Sequence, residues 1–350
     1  AQLRGDDTVL PAGHEVAVEQ FKLPVTFKAD KLSAKTHHVM LRNDNDETQL
    51  TIGNISYEFN RTTGWLTQIN VAGEKLLSRP LTPNFWRAPT DNDLGNKMNR
   101  WASVWQGMSK SLRLDEIDIL ERADGVKLVM SYQSDALAGN FNIEYFVANT
   151  GRLSVESRLE MKAGNEMSTL PRFGMQLVTH SGFDNVKWFG RGPHETYADR
   201  KTGARIDYFA GQVKEQIHHY ARPQENANKT DVRWMALHNN DGLGILAIGD
   251  EPLNASVWPY YQSDIDFNDG DGAQSASGLV PVTTKHGAHV PMRHITTFNI
   301  DKAQMGVGGD TSWGRMVHKQ YQIEPNSMRY KFSLVPFTQL DNLKQRARMK

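Results

Sequence analysis

The side chains able to do chemistry in this 350-residue chain are carboxylates, histidines and tryptophans, because cysteine is absent. That absence removes thiolate nucleophiles, zinc ribbons, iron–sulfur clusters and disulfides from consideration. A serine hydrolase would carry its nucleophile in a Gly-x-Ser-x-Gly elbow, and no such run occurs. His194-Glu195 is followed by Thr-Tyr-Ala, not by a second His, so the zinc-protease pattern fails as well. Among the twelve histidines, His218 and His219 are adjacent. On a strand, neighbours point to opposite faces, which argues against shared metal ligation. The acidic run Asp264, Asp266, Asn268, Asp269 and Asp271 has a calcium-like composition, but Asp269 stands where an EF-hand needs Gly, and Ser275 where it needs Glu. A solvated loop is the expectation there. The stretch Gly306 to Gly314 lacks the Gly-Lys-Ser/Thr of a phosphate loop, so its glycines are read as sites of close backbone approach or a sharp turn.

Sugar chemistry would need two carboxylates flanking a glycosidic bond, with aromatic rings against the apolar faces of the pyranoses. Trp86, Trp188, Trp234, Trp258 and Trp313 all lie in polar, turn-rich sequence. Packing is the expectation for the first four. Trp313, close to Gly308, Gly309, Asp310 and Ser312, reads instead as a ligand platform. The dipeptide Asn165-Glu166 is similar to the acid/base motif of many retaining glycosidases. It follows a strand-like run ending at Met161 and an Ala-Gly, which predicts an exposed loop and sets it aside as a catalytic pair.

The elements that must position these residues are mostly strands. Leu153, Val155, Leu159 and Met161 alternate with Ser154, Glu156, Arg158 and Glu160, the period of a half-buried strand. Ile143, Tyr145 and Val147 alternate just upstream, and Asn149-Thr150-Gly151 between them predicts a hairpin. The same period recurs at Val126 to Tyr132, Ile55 to Phe59 and Tyr330 to Leu334. Antiparallel sheets with one wet face follow. Met98, Trp101, Trp105 and Met108 fall three and four apart after the loop TDNDLGN and predict one short amphipathic helix. Nothing alternates strands with helices as a (β/α)₈ barrel requires.

Forty basic and forty acidic residues cancel, which gives no electrostatic pull toward nucleic acid or an anionic membrane. No apolar run approaches a membrane span, and residues 1–13 lack the features of a signal peptide. Lack of Cys suits a cytoplasmic or a periplasmic protein equally. The polar stretch LRNDNDETQL at 41 to 50 predicts a linker. Before it, His14 to Leu23 is a single strand-like run, too little to fold alone, so residues 1–45 read as the tail of a domain whose beginning is missing.

Four blocks, in order, carry a resemblance. TPNFWRAPTDNDLGN (82–96), WFGRGPHETYADRKTGA (188–204), YARPQENANKTDVRWM (220–235) and MGVGGDTSWG (305–314) resemble the C-terminal domain of bacterial β-galactosidases of the lactose-operon type, glycoside hydrolase family 2, over residues 50–338. AGHEVAVEQFKL looks like the last strand of the immunoglobulin-like domain that precedes it. The resemblance implies an all-β fold, a large antiparallel β-supersandwich similar to galactose mutarotases, over residues 46–345, with residues 1–45 the tail of the immunoglobulin-like domain and a linker. It implies retaining hydrolysis of terminal β-galactosides by a complete enzyme. The catalytic glutamates and the ligands of its magnesium and sodium ions lie on a barrel domain outside this chain. This chain alone is then expected to be inactive, with no catalytic residue, metal or cofactor of its own. Its partners would be the galactoside, the N-terminal domains of the same enzyme and further copies of the complete protein. The unfinished N-terminal domain favours an excised fragment over a natural small subunit.

By the same resemblance Trp313 falls on the Trp that stacks against the aglycone, and Asp91, Asn92, Asp93 and Gly95 fall on a mobile loop at the active-site mouth. Arg191, His194 and Glu195 in the second block, with Glu225 and Trp234 in the third, could build a secondary sugar groove, or serve in structural ion pairs and packing. Thr196 stands where the pattern has Asn. Two rivals are carried forward: an aldose-epimerase-like enzyme using His194 or His219 with Glu225, and a non-catalytic carbohydrate-binding or assembly module.

Overall fold

The computed structural model describes residues 1–25, 36–266, 286–310 and 314–348, and the chain divides into two compact units, Ala1–Lys31 and Leu32–Lys350. Trp313 and the loop residues Asn268, Asp269, Asp271 and Ser275 lie outside the described residues. In the smaller unit the turn from Leu3 to His14 is closed by a bridge between Gln2 and Glu15 and by Leu3 N–H donating to His14 O at 2.9 Å. The strand-like alternation beyond it leaves Val16, Val18, Phe21 and Leu23 exposed.

The larger unit is all-β, as the alternation predicts. Seventeen strands are present among the described residues, and their pairings are antiparallel. A meander of Met40–Asn43, Glu47–Ile52, Ile55–Asn60 and Leu66–Val71 leads to Leu77–Asn84. That strand pairs with Arg172–Thr179, which pairs in turn with Thr296–Gln304. The 15-residue strand Gly244–Trp258 is the hub: its C-terminal half pairs with Thr296–Gln304, its N-terminal half with Met328–Phe337, and its other edge with Lys229–His238. Met328–Phe337 continues through Leu153–Met161, Gly139–Ala148 and Gly125–Gln133 to Arg113–Arg122.

The alternating residues place one face inside. Leu153, Val155 and Leu159, with Val126, Leu128, Met130, Phe141, Ile143 and Tyr145, are fully or almost fully buried. Each contributes about 1.5–3 kcal/mol of transfer free energy when removed from water. The hairpin predicted across Asn149 to Gly151 forms, with Gly151 in the left-handed region at φ 82°.

Two local expectations are corrected. The stretch 41–50 is not a linker but most of a hairpin, because Asp44 Oδ1 accepts the N–H groups of Asp46 (3.1 Å) and Glu47 (2.9 Å) and closes a tight turn between Met40–Asn43 and Glu47–Ile52. The loop TDNDLGN carries a short helix of its own, Asp91–Gly95, and the one helix predicted after it is two, Met98–Trp101 and Ser103–Ser111. Left-handed Lys97, at φ 67°, breaks Asp91–Gly95 from Met98–Trp101. Met98, Trp105 and Met108 are fully buried, so the apolar face packs on the sheet as its spacing predicts.

Candidate functional site

The site grows from a short capped helix. Thr90 Oγ1 accepts the Asp93 N–H at 3.2 Å while the Asp93 carboxylate accepts the Thr90 N–H at 2.9 Å, so DNDLG starts a helical turn where sequence predicts a loop. The same carboxylate takes both arms of Arg87, Nε at 3.0 Å and Nη2 at 2.8 Å, in a fully buried pair. Two parallel bonds fix the helix in angle as well as position. Arg87 also donates to the carbonyls of Met305 and Gly306, so one guanidinium joins residues 90–95 to the glycine-rich segment.

Asp199 holds that segment from the other side. Its two oxygens accept the N–H groups of Val307 (3.0 Å) and Gly308 (2.8 Å), and Asn92 Nδ2 donates to Val307 O at 3.0 Å. A Cβ at Gly306 would lie 2.5 Å from the Asp199 carboxylate. Gly314 has φ 76°, and a Cβ there would lie 2.7 Å from the Gly95 carbonyl, so both its backbone and its missing side chain are required.

The third block closes the rim. Arg222 Nε meets Asp91 Oδ1 at 2.9 Å and Gln224 Nε2 meets Asp91 Oδ2 at 3.0 Å. Glu225 N–H donates to Ala88 O at 3.1 Å. From the second block, Glu195 accepts from Arg200, from the Tyr220 hydroxyl and, at 2.8 Å, from Ala227 N–H. Asp91, Asn92, Tyr197, Arg200, Tyr220 and Glu225 enclose a cavity of about 220 Å³.

Beneath the cavity lies a buried charge cluster. Arg172 Nη2 is 2.8 Å from Glu225 and its Nε 3.5 Å from Asp301, all three side chains being fully buried. Burial pushes the Glu225 carboxyl above its ordinary range, against the pull of Arg172 and Arg87. Burial likewise raises Asp301 to about 7, more than Arg172 offsets. Burial, and then the charge of Glu225, keeps the Tyr197 phenol protonated. On the neighbouring strand burial lowers Lys229 to about 8, where its ammonium sits 5.3 Å from the centre of the Trp188 ring.

These carboxylates are occupied: Asp93 by Arg87, Asp91 by Arg222, Glu195 by Arg200, Glu225 by Arg172, and Asp199 by two backbone amides. The arrangement is a polar rim in which each of these carboxylates already has a partner. His194 and His219 are exposed while Glu225 is sealed under Arg172 and Gln304, a poor geometry for an acid–base pair on one sugar. Glu166 is exposed beside the turn in which Asn165 Nδ2 donates to the Lys162 and Pro325 carbonyls. Among the described residues no three His, Asp or Glu side chains are grouped as a metal would require.

Of the residues singled out from sequence, Asp91, Asn92, Asp93, Gly95, Glu195 and Glu225 come together in and around this rim. Arg191 does not line it: it pairs with Asp231 at 2.5 Å and donates to the Lys201 and Ala204 carbonyls. Trp234 packs among Ala236, Leu246, Ile248 and Phe337 in a separate cluster. Trp86, Trp188 and Trp258 are buried, as their packing reading predicts. Thr196 finds its partner in Thr230, hydroxyl to hydroxyl at 2.9 Å. Sequence reasoning missed Arg172, Asp301 and the bracing role of Asp199. The one available signal was Asp301, the acid that follows the strand-like TTFNI.

A family model described as the beta galactosidase small chain matches residues 51–335. A beta-galactosidase of Priestia megaterium is 34% identical over 338 residues, covering 96% of this chain and 31% of that protein. One from Halalkalibacterium halodurans is 28% identical over 331 residues, covering 92% and 30%. The chain thus spans under a third of the length of these curated relatives. Among solved structures, a galactose 1-epimerase from Lactobacillus acidophilus superposes with a TM-score of 0.43 at 9% identity, covering 87% of this chain and 99% of that one.

Proposed function

The chain belongs to the beta galactosidase small-chain family, and from that premise we propose that it is the C-terminal portion of a family 2 β-galactosidase, where it walls the active site without breaking the bond. The observation that carries this reading is the meeting of all four sequence blocks at one rim, with Arg87 and Asn92 joining residues 90–95 to the glycine-rich segment, Asp199 holding that segment and Arg222 holding Asp91. A rim so braced can orient a leaving sugar, and orientation lowers a barrier by prepaying entropy.

In the complete enzyme, one Glu attacks the anomeric carbon of a terminal β-galactoside while another protonates the leaving oxygen, and water then releases galactose with retention. Both glutamates, and the residues that hold magnesium and sodium, belong to the part of the enzyme outside this chain. By the resemblance Trp313 would stack against the aglycone, and Asn92 and Asp91 border the mouth. Residues 1–45 would complete an immunoglobulin-like domain of the same polypeptide, and the complete protein would assemble as a homo-oligomer.

Lactose kinetics of the complete enzyme test this. Trp313→Ala is expected to raise the lactose KM by about tenfold, equivalent to ~1.4 kcal/mol of lost binding, with a smaller change in kcat. An unchanged lactose KM would remove Trp313, and with it the wall, from the site.

A further inference from the structure

A second and larger cleft, of about 690 Å³, lies away from the rim, between the strands Leu77–Asn84 and Arg172–Thr179 and the helix Ser103–Ser111. Its volume falls within the ~300–1,000 Å³ of small-molecule sites. One wall is Trp65, half-buried, with Tyr132 covering one face of its indole at 4.4 Å and 10° between planes. The floor carries the side-chain amides of Asn84, Gln176 and Gln262.

The buried charge cluster dictates how those amides are turned. Arg172 has donors only, so the oxygens it meets must face it: Asn299 Oδ1 at 3.1 Å and Gln262 Oε1 at 3.4 Å. Asn84 Nδ2 donates to the same Gln262 oxygen at 2.8 Å, and Gln176 Nε2 donates to Asn299 Oδ1 at 2.7 Å. With its oxygen turned inward, Gln262 keeps an N–H₂ donor for the cleft. With its nitrogen turned inward, Gln176 keeps a carbonyl acceptor. A donor and an acceptor in one cleft with an indole match a pyranose, whose hydroxyls both give and accept and whose C–H face is apolar. Three cations border the cleft: Arg79, which lies over the Tyr261 ring at 3.5 Å, Arg113, which pairs with Asp135 at 3.1 Å, and Lys110.

We infer that this cleft is a second carbohydrate site, taking one neutral hexose residue with Trp65 as the stacking surface and Gln176 and Gln262 as the hydrogen-bonding pair. It is independent of the aglycone wall proposed above, and the test separates the two by using the full chain with Trp313→Ala as background. Saturation-transfer NMR with lactose, titrated to about 20 mM, reads binding in the weak range expected of a single sugar. Transfer to the sugar ring protons is expected, with the apparent affinity reduced about tenfold by Gln176→Ala and abolished by Trp65→Ala. Gln262→Ala serves as the independent variant if loss of the Tyr132 stack unfolds the Trp65 protein, and the same tenfold reduction is expected from it. No transfer in the Trp313→Ala background, or transfer unaffected by Gln176→Ala and Gln262→Ala, would overturn the inference.

Discussion

At the scale of single residues, the account turns on groups whose partners are far away in sequence. Asp199 accepts two backbone N–H groups more than a hundred positions downstream. Asp199→Asn keeps its shape but can accept with one oxygen only, so in the complete enzyme it should raise the lactose KM several-fold while leaving the Tm within a few degrees. A change confined to kcat would contradict a bracing role. Asp301 makes a pH prediction. Its folded pKa of about 7 lies above its unfolded value, so its contribution to stability is complete below about pH 4 and is lost as pH rises through 7. Glu225, raised by burial, acts in the same direction. Asp301→Asn should flatten the decline in denaturant midpoint between about pH 4 and 7, and an unaltered decline would show that Asp301 is already charged there. Asp199 does not announce itself in the sequence, and Asp301 does so only as the acid that follows the strand-like TTFNI. Trp313 does so through its glycine-rich neighbours, whereas Arg172 and Asp301 acquire meaning only when two strands bring them together.

At the scale of elements, strands were the most legible feature and their partners the least. The alternation at Leu153 to Met161 and Tyr330 to Leu334 marks two half-buried strands, but nothing in either run says that Leu153 will face Leu334. The capping of Asp91–Gly95 was visible in principle, since Thr90 and Asp93 have capping-box spacing, and it was obscured by the turn-rich composition of TDNDLGN. The polar stretch 41–50 misled for the same reason: Asn and Asp mark tight hairpin turns as readily as linkers. Two substitutions test how elements are locked. Arg87→Ala leaves Asp93 as an uncompensated buried charge and should cost about 3–5 kcal/mol in equilibrium unfolding. A Cβ at Gly174 would lie 1.8 Å from the Asp301 carboxylate and 2.9 Å from its Cα, so Gly174→Ala must displace one strand of the pair and should lower Tm measurably. Wild-type stability in either variant would mean that the strands Arg172–Thr179 and Thr296–Gln304, or the capped helix, are held by something else.

At the scale of the whole molecule, the larger unit is all-β, and Asp91, Asp93, Asp199, Glu195 and Glu225 at its rim each have a structural partner. The proposed role, a wall of a site completed by other domains, rests on that pairing, on the family match over 51–335 and on coverage of 31% of the Priestia megaterium relative. The order of the four blocks made the family legible from sequence, because each is a long run of specific residues. Their convergence was not legible, because it depends on contacts between residues as far apart as Arg87 and Gly306. The most direct measurement is release of chromophore from an aryl β-galactoside by the purified 350-residue chain at high concentration, first alone and then mixed with the remaining N-terminal portion of the enzyme. The account predicts no turnover alone and recovery on mixing. Turnover by the chain alone would place a catalytic pair within these residues and contradict it.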